Sequence, residues 1–400
     1  MTMVDDNTPG EVGADGSSLL HGVVFAGSND VVDLTIEDGR ISAIRESGRA
    51  AEWVCLPPLA DLHVHANRAF TPPESRPRGL EDAVRKVAGV FDTFTAEDYR
   101  RHAGLLIDAA FRHGTTRLRT HADINPGVGL DTVTGSLQVG ADFAGAVEVE
   151  VVAFAASGSD PATTAGRDLL REAISMGAHY LGAAPAFCPD PAASIDAILD
   201  LAVELSVPVD LHLDEHLDPS RSFSGHLADA TIDRGLAGRV TLGHACAIST
   251  LARPEQARVI DTLARAEITV IALPRTNLYL QDSGDNTPTL RGVTSVSEML
   301  AAGIAIRFAS DNVRDAFYPY GDADLLGVAM DGILATQVDD PRTVVAAICD
   351  GRYSFAEGDP ADLVLLPGAS VDAMLAAAPA RRWLCRAGTW SRAGEKPAGS

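Results

Sequence analysis

Between residues 57 and 310 the chain alternates short, nearly continuous apolar runs with helical stretches, and this alternation restricts its fold more than any other feature. The runs fall at 57–65, 116–122, 148–155, 180–185, 208–213, 239–244, 268–274 and 305–310. Most are rich in Val, Ile, Leu and Ala, as strands are when both faces are covered. Helical stretches separate them, for example Glu97 to Arg112, Gly166 to Met176, Ser194 to Leu205 and Val296 to Ala302. Eight such units over roughly 290 residues fit an α/β fold of the (β/α)8, or TIM, barrel type. The alternative is an open doubly wound sheet. The Gly-rich phosphate turn expected after its first strand is absent, because that turn reads His63-Val64-His65-Ala66.

The flanks read differently. Residues 1–17 are polar and rich in Gly and Asp, and a disordered tail is expected there. From Leu19 to Cys55 short apolar runs alternate with turns, and Asp38-Gly39 is a strong hairpin signal. Similar runs return near the end, in Leu363–Pro367 and in Trp383 to Trp390. Residues 18–56 and 355–395 are therefore expected to form one small β-sandwich, with the barrel spanning 57–354.

In such a barrel the chemistry sits where strands end and βα loops begin. The first strand delivers His63 and His65, which project to one side because side chains alternate along a strand. Two neutral imidazoles side by side can hold one metal ion at ~2.0–2.1 Å. A single His-x-His is weak evidence, but other strand ends add to it. The second gives His121 and Asp123, the fifth His212 and Glu215, the sixth His244, and the eighth Asp311 and Asn312. Of 11 histidines, five fall at these ends, whereas chance would scatter them. His102, His113 and His179 read as buried or capping residues, and His216 and His226 are ambiguous. The only lysines are Lys86 and Lys396. Neither can supply the carbamylated lysine that bridges two metals at the end of a fourth strand, and Tyr180–Pro185 offers no carboxylate. One divalent ion, Zn or Fe, held by His63, His65, His212 and Asp311, is the economical site.

The formal net charge of −23 repels nucleic acid and anionic membranes, so neither is an expected partner. No apolar run reaches the ~18 residues of a membrane span. Met1-Thr2-Met3-Val4-Asp5-Asp6 lacks the basic-then-apolar order of a secretory signal. Five cysteines without a C-x-x-C pair suit reduced thiols in a cytoplasm. The expected partner is a small heterocyclic molecule, and homo-oligomerisation stays open.

Taken together, His63-Val64-His65, Arg119-Thr120-His121-Ala122-Asp123, His212-Leu213-Asp214-Glu215, Gly243-His244-Ala245 and Asp311-Asn312-Val313-Arg314-Asp315 resemble the motifs of the amidohydrolase superfamily, most closely its cytosine deaminase branch. Leu273 to Gln281, Arg291-Gly292-Val293-Thr294 and Phe317-Tyr318-Pro319-Tyr320-Gly321 extend the resemblance over roughly residues 56–366. It implies hydrolytic release of ammonia, or of a small amine, from a cyclic amidine. In that reading Asp311 binds the metal and takes a proton from water. Glu215 carries a proton to the ring nitrogen and then to the leaving amine, and His244 steadies the attacking oxygen. Phe154, Asn277, Tyr279 and Phe317 are candidate pocket walls. Two positions depart from the branch pattern. Ala156, before Ser157, stands where a Gln reads the pyrimidine amide edge, and Asn312 stands where a second Asp is common. Cytosine itself is therefore not the expected substrate. Hydrolysis of a cyclic amide or lactam is the alternative on the same site, and a non-catalytic ligand-binding barrel is the alternative of another class.

Overall fold

The computed structural model describes residues 9–12, 17–28, 30–91, 93–283, 287 and 290–395. The chain first lays down β1 (Glu11–Val12), β2 (Ser18–Val24), β3 (Val32–Glu37), β4 (Arg40–Glu46) and β5 (Trp53–Leu56). Eight parallel strands follow: β6 (Leu59–Val64), β7 (Thr115–Ile124), β8 (Glu148–Ala155), β9 (Tyr180–Ala183), β10 (Val209–Leu213), β11 (Val240–His244), β12 (Thr269–Ala272) and β13 (Ile306–Phe308). Then come β14 (Leu363–Pro367), β15 (Trp383–Arg386) and β16 (Thr389–Arg392).

Strands β6 to β13 are hydrogen-bonded in sequence order, each parallel to the next, with helices between them. This is the (β/α)8 barrel read from the apolar alternation. It closes through the bridge between Val64 and Asp311: Asp311 N donates to His63 O at 2.9 Å, and His65 N donates to Asp311 O at 3.1 Å. The seam of the barrel therefore passes through the expected metal ligands.

The helices form where local chemistry starts them. Helix Ala96–Arg112 opens on a capping box in which Thr95 and Asp98 satisfy each other's backbone N–H. Its buried residues Tyr99, Ala103, Leu106, Ile107 and Ala110 recur at three- and four-residue spacing and face the sheet. Burying each large side chain in that stripe contributes about 1.5–3 kcal/mol. Helix Pro191–Leu205 starts with Asp190 capping Ala193 N at 3.1 Å and with Pro191 in its first turn.

The small β domain is built from both ends of the chain, as expected. Its strands form one continuous sheet in the order β16-β15-β14-β5-β2-β3-β4, with β1 on β2. All pairs are antiparallel except β2 with β5. The pairings of β2 with β3 and of β3 with β4 each shift register, and such bulges bend and twist a strand. The sheet thus curls over its own face, around Leu20, Leu34, Ile36, Cys55, Leu365 and Trp383. Its ends meet, since a Cβ on Gly39 would lie 2.9 Å from Ala387 O. The expected tail also needs correction at Glu11–Val12, which pair with Leu19 and Ser18, while residues 1–8 and 13–16 lie outside the described residues. A buried ion pair fixes this sheet to the barrel, with Arg382 Nη1 and Nη2 donating to Asp324 at 2.8 and 2.6 Å. No helix among the described residues is long and apolar enough to cross a membrane.

Candidate metal centre and active-site cavity

Three imidazoles converge inside the C-terminal mouth of the barrel. His63 Nε2 and His65 Nε2 lie 3.1 and 2.9 Å from His212 Nε2. Asp311 Oδ1 lies 3.5 Å from His65 Nε2 and 3.8 Å from His63 Nε2. All four side chains are buried. Among the described residues two overlapping groups of possible ligands result: His63, His65, His121 and His212, and His63, His212, His244 and Asp311.

The donor set fits a cation. Nitrogens ~2.0–2.1 Å from one tetrahedral ion stand about 3.4 Å apart, close to the spacing here. Burial first, then neighbouring positive charges, push His63, His65 and His212 well below the ordinary histidine value, so each presents a neutral lone pair. Both Asp311 oxygens are buried without a hydrogen bond, and burial raises that carboxyl to about 8. A buried carboxylate without partners is costly, and a bound cation removes that cost. Lys86 lies on helix Leu80–Phe91 paired to Asp82 at 3.4 Å, and Lys396 lies outside the described residues.

The backbone aims these groups at one point. Asp214, His244 and Asp311 all adopt left-handed backbone angles, with φ of 57°, 71° and 59°. For non-glycine residues such angles cost on the order of 1–3 kcal/mol each and cluster at functional sites. Asp61 Oδ1 accepts from Ser310 N at 2.9 Å and holds the turn that carries Asp311. Asp214 accepts from Ser222 Oγ, Phe223 N and Ser224 Oγ at 2.5, 2.9 and 2.6 Å, which fixes the loop carrying Glu215. Glu215 Oε2 then stands 3.5 Å from His244 Nε2. Burial, reinforced by the Asp311 charge, pushes the Glu215 carboxyl well above the usual range. Burial lowers His244 to about 3, so its ring is neutral, and Asn277 Nδ2 contacts His244 Nδ1 at 3.0 Å.

Below the centre, His121 Nε2 lies 3.3 Å from Asp210 Oδ1, and Asp210 Oδ2 accepts from Arg119 Nη1 at 2.9 Å. Asp210 stands two residues before His212, so strand alternation could have pointed it inward with its neighbour. His216 stays in the loop, its Nδ1 accepting from Asp218 N at 3.3 Å.

A cavity of about 290 Å³ opens above the cluster. His65, His212, Glu215, His244 and Asp311 reach it, as do Phe154, Ala156, Ser157, Asn312 and Phe317. Asn277 and Tyr279 do not line it, which corrects the expectation for both. Asn277 turns its Nδ2 to His244, and Tyr279 faces Tyr318 and Tyr320 instead, its ring centroid 5.6 and 5.9 Å from theirs. Several wall elements went unread in the sequence, among them Arg68, Phe187, the loop at 125–128 and the apolar face of helix Leu80–Phe91, with Leu80, Val84 and Val87. The four-residue recurrence of Leu80, Val84 and Ala88 was the available signal for that helix. Arg68, in a short turn after β6, left none.

A model of the Amidohydrolase family matches residues 148–390. The chain is 29% identical over 361 residues to a pterin deaminase of Rhizobium rhizogenes, covering 83% of this chain and 81% of that protein. It is 27% identical over 387 residues to an N-isopropylammelide isopropyl amidohydrolase of a Pseudomonas species, covering 87% and 90% of the two chains. The solved structure of 5-methylcytosine deaminase from Klebsiella pneumoniae, liganded with 5-fluorocytosine, superimposes with a TM-score of 0.84 at 26% identity. That match covers 92% of this chain and 96% of the other.

Proposed function

This chain belongs to the amidohydrolase family, and from that premise we propose that it is a metal-dependent hydrolase releasing ammonia, or a small amine, from an amino-substituted nitrogen heterocycle other than cytosine. The convergence of three neutral imidazoles and the Asp311 carboxylate, with the partly buried Glu215 facing the same cavity, carries this reading.

His63, His65, His212 and Asp311 would hold one divalent ion, Zn or Fe. Such an ion lowers the pKa of a water molecule toward about 7. Asp311 would accept a proton from the attacking water. Glu215, kept protonated by its surroundings, donates to the ring nitrogen and so makes the adjacent carbon electrophilic. The proton received by Asp311 then goes to the departing amine, and the proton of the added hydroxyl, released as the C=O bond forms, returns to Glu215. His244, held by Asn277, steadies the oxygen that adds to the ring. The closed barrel floor excludes bulk water, which strengthens each of these interactions.

The names of the relatives support the reaction class: deamination of a pterin and removal of an alkylamine from a triazine both break an exocyclic C–N bond. Ala156 supports the exclusion of cytosine, because it lacks the amide that the resemblance assigns to this position. The test is ammonia and amine release from a panel of cytosine, isocytosine, creatinine, pterins and alkylamino-triazines. Release from a pterin or triazine with little from cytosine is expected. Cytosine as the best substrate, or no release from any member, would overturn the reading.

A further inference from the structure

Two charged side chains in the cavity have no part in the hydrolysis above. Arg68 and Asp123 both line it, at 5% and 2% exposure. Arg68 Nη1 donates to Asp123 Oδ1 at 3.2 Å and approaches Oδ2 at 3.4 Å. Its Nε donates to Asp315 Oδ2 at 3.3 Å and its Nη2 to Asn312 Oδ1 at 3.2 Å. The guanidinium carbon lies 4.3 Å from the centroid of Phe317. Asn67 Nδ2 donates to Asp123 Oδ2 at 2.9 Å. Both groups are thus immobilised and neither is saturated. A guanidinium has five N–H donors, of which one on Nη2 stays free, and a carboxylate has about four acceptor sites, of which at least one stays free.

The pair also stands beside the altered position. Asp123 is in register with Phe154, and Ala156 N donates to Ile124 O at 3.2 Å. A donor next to an acceptor is what the side chain of a Gln would have offered at Ala156.

We propose that Arg68 and Asp123 together recognise the lactam edge, –NH–C(=O)–, of the substrate. Arg68 donates to the carbonyl and Asp123 accepts from the N–H. This rests on the deaminase reading and narrows it to a neutral amino-heterocycle carrying a lactam. Arg68 already faces the carboxylates of Asp123 and Asp315, so it has no spare charge for a phosphate or carboxylate on the substrate. The reader lies on β7 and the turn after β6, and the space that Ala156 leaves beside Phe154 suits a fused ring or an alkyl substituent.

The experiment compares pterin with N3-methylpterin, whose lactam N–H is blocked, on the wild-type holoenzyme and on Asp123→Asn, with bound metal measured in each. A lost hydrogen bond to a charged group in a closed pocket predicts a roughly 10- to 100-fold lower kcat/KM for the methylated compound. Asp123→Asn should lose a similar factor on pterin, show little further loss on N3-methylpterin, and keep its metal. Ala156→Gln in the Asp123→Asn background should recover part of the loss. Equal rates for pterin and N3-methylpterin on the wild type would overturn the lactam site and leave the deaminase reading standing. No ammonia from either compound or from any other panel member would overturn both. Should Asp123→Asn fail to fold, the two compounds on the wild type decide alone.

Discussion

Gly243 lies against the ring of His63, and adding one methyl group there tests whether that ring is a ligand. A Cβ at Gly243 would sit 2.6 Å from His63 Cε1, 3.1 Å from His63 Nδ1 and 3.4 Å from Leu211 O. Gly243 is outside the left-handed region, so Gly243→Ala adds volume without backbone strain. The ring has nowhere to retreat, because His63 is 0% exposed and its ring centroid lies 4.2 and 4.4 Å from those of His121 and His212. Overpacking of this kind costs ~1–3 kcal/mol in a metal-free protein. The ring must also move by several tenths of an ångström, whereas ligand distances tolerate about ±0.2 Å. A loss of ~10- to 100-fold in metal affinity follows, equivalent to about 1.4–2.8 kcal/mol. Urea unfolding of the metal-free protein reads the first quantity, and competition against a chromogenic chelator reads the second. A folded Gly243→Ala protein with wild-type metal affinity would refute the placement of His63 among the ligands.

Glu215→Gln should keep its metal and lose ~10²- to 10⁴-fold in turnover, measured by ammonia release, because it keeps the shape and removes the proton carrier. Arg382→Met should destabilise the folded chain by ~3 kcal/mol in urea unfolding at pH 7, since it removes the charged partner of the Asp324 carboxylate and leaves it with Leu326 N and His113. Burial opposes the charge on Asp324, but Arg382 outweighs it and holds that carboxyl below its ordinary 3.8. A depressed carboxyl stabilises above its unfolded value and loses that contribution as pH falls through the folded one. The gap between wild type and Arg382→Met should therefore be full at pH 7 and shrink below about pH 4 in thermal unfolding. Ala156→Gln with Asn312→Asp should shift the ratio of kcat/KM values toward cytosine, even if total activity falls.

The barrel was legible because strands covered on both faces are largely apolar, a demand that stretches such as 151–155 and 270–273 meet. His63, His65 and His212 were legible for a related reason: strand alternation fixes where a side chain points before any tertiary contact is known. The pairing of the two chain ends into one small β domain was legible as well, but its register shifts, such as that between Leu20 and Val23, leave no periodic trace. Arg68 escaped for want of periodicity, as its direction comes from a single turn and three partners distant in sequence. Asn277 was misread as a wall because the sequence cannot show that its Nδ2 turns to His244.

Titration of the metal-free protein with Zn or Fe(II), following bound metal and ammonia release on the same samples, tests the central claim most directly. Metal-free protein should be inert, and activity on a pterin or alkylamino-triazine should rise in proportion to bound ion and level off at about one ion per chain. Activity that survives metal removal, or that appears only after a second tightly held ion binds, would contradict the account.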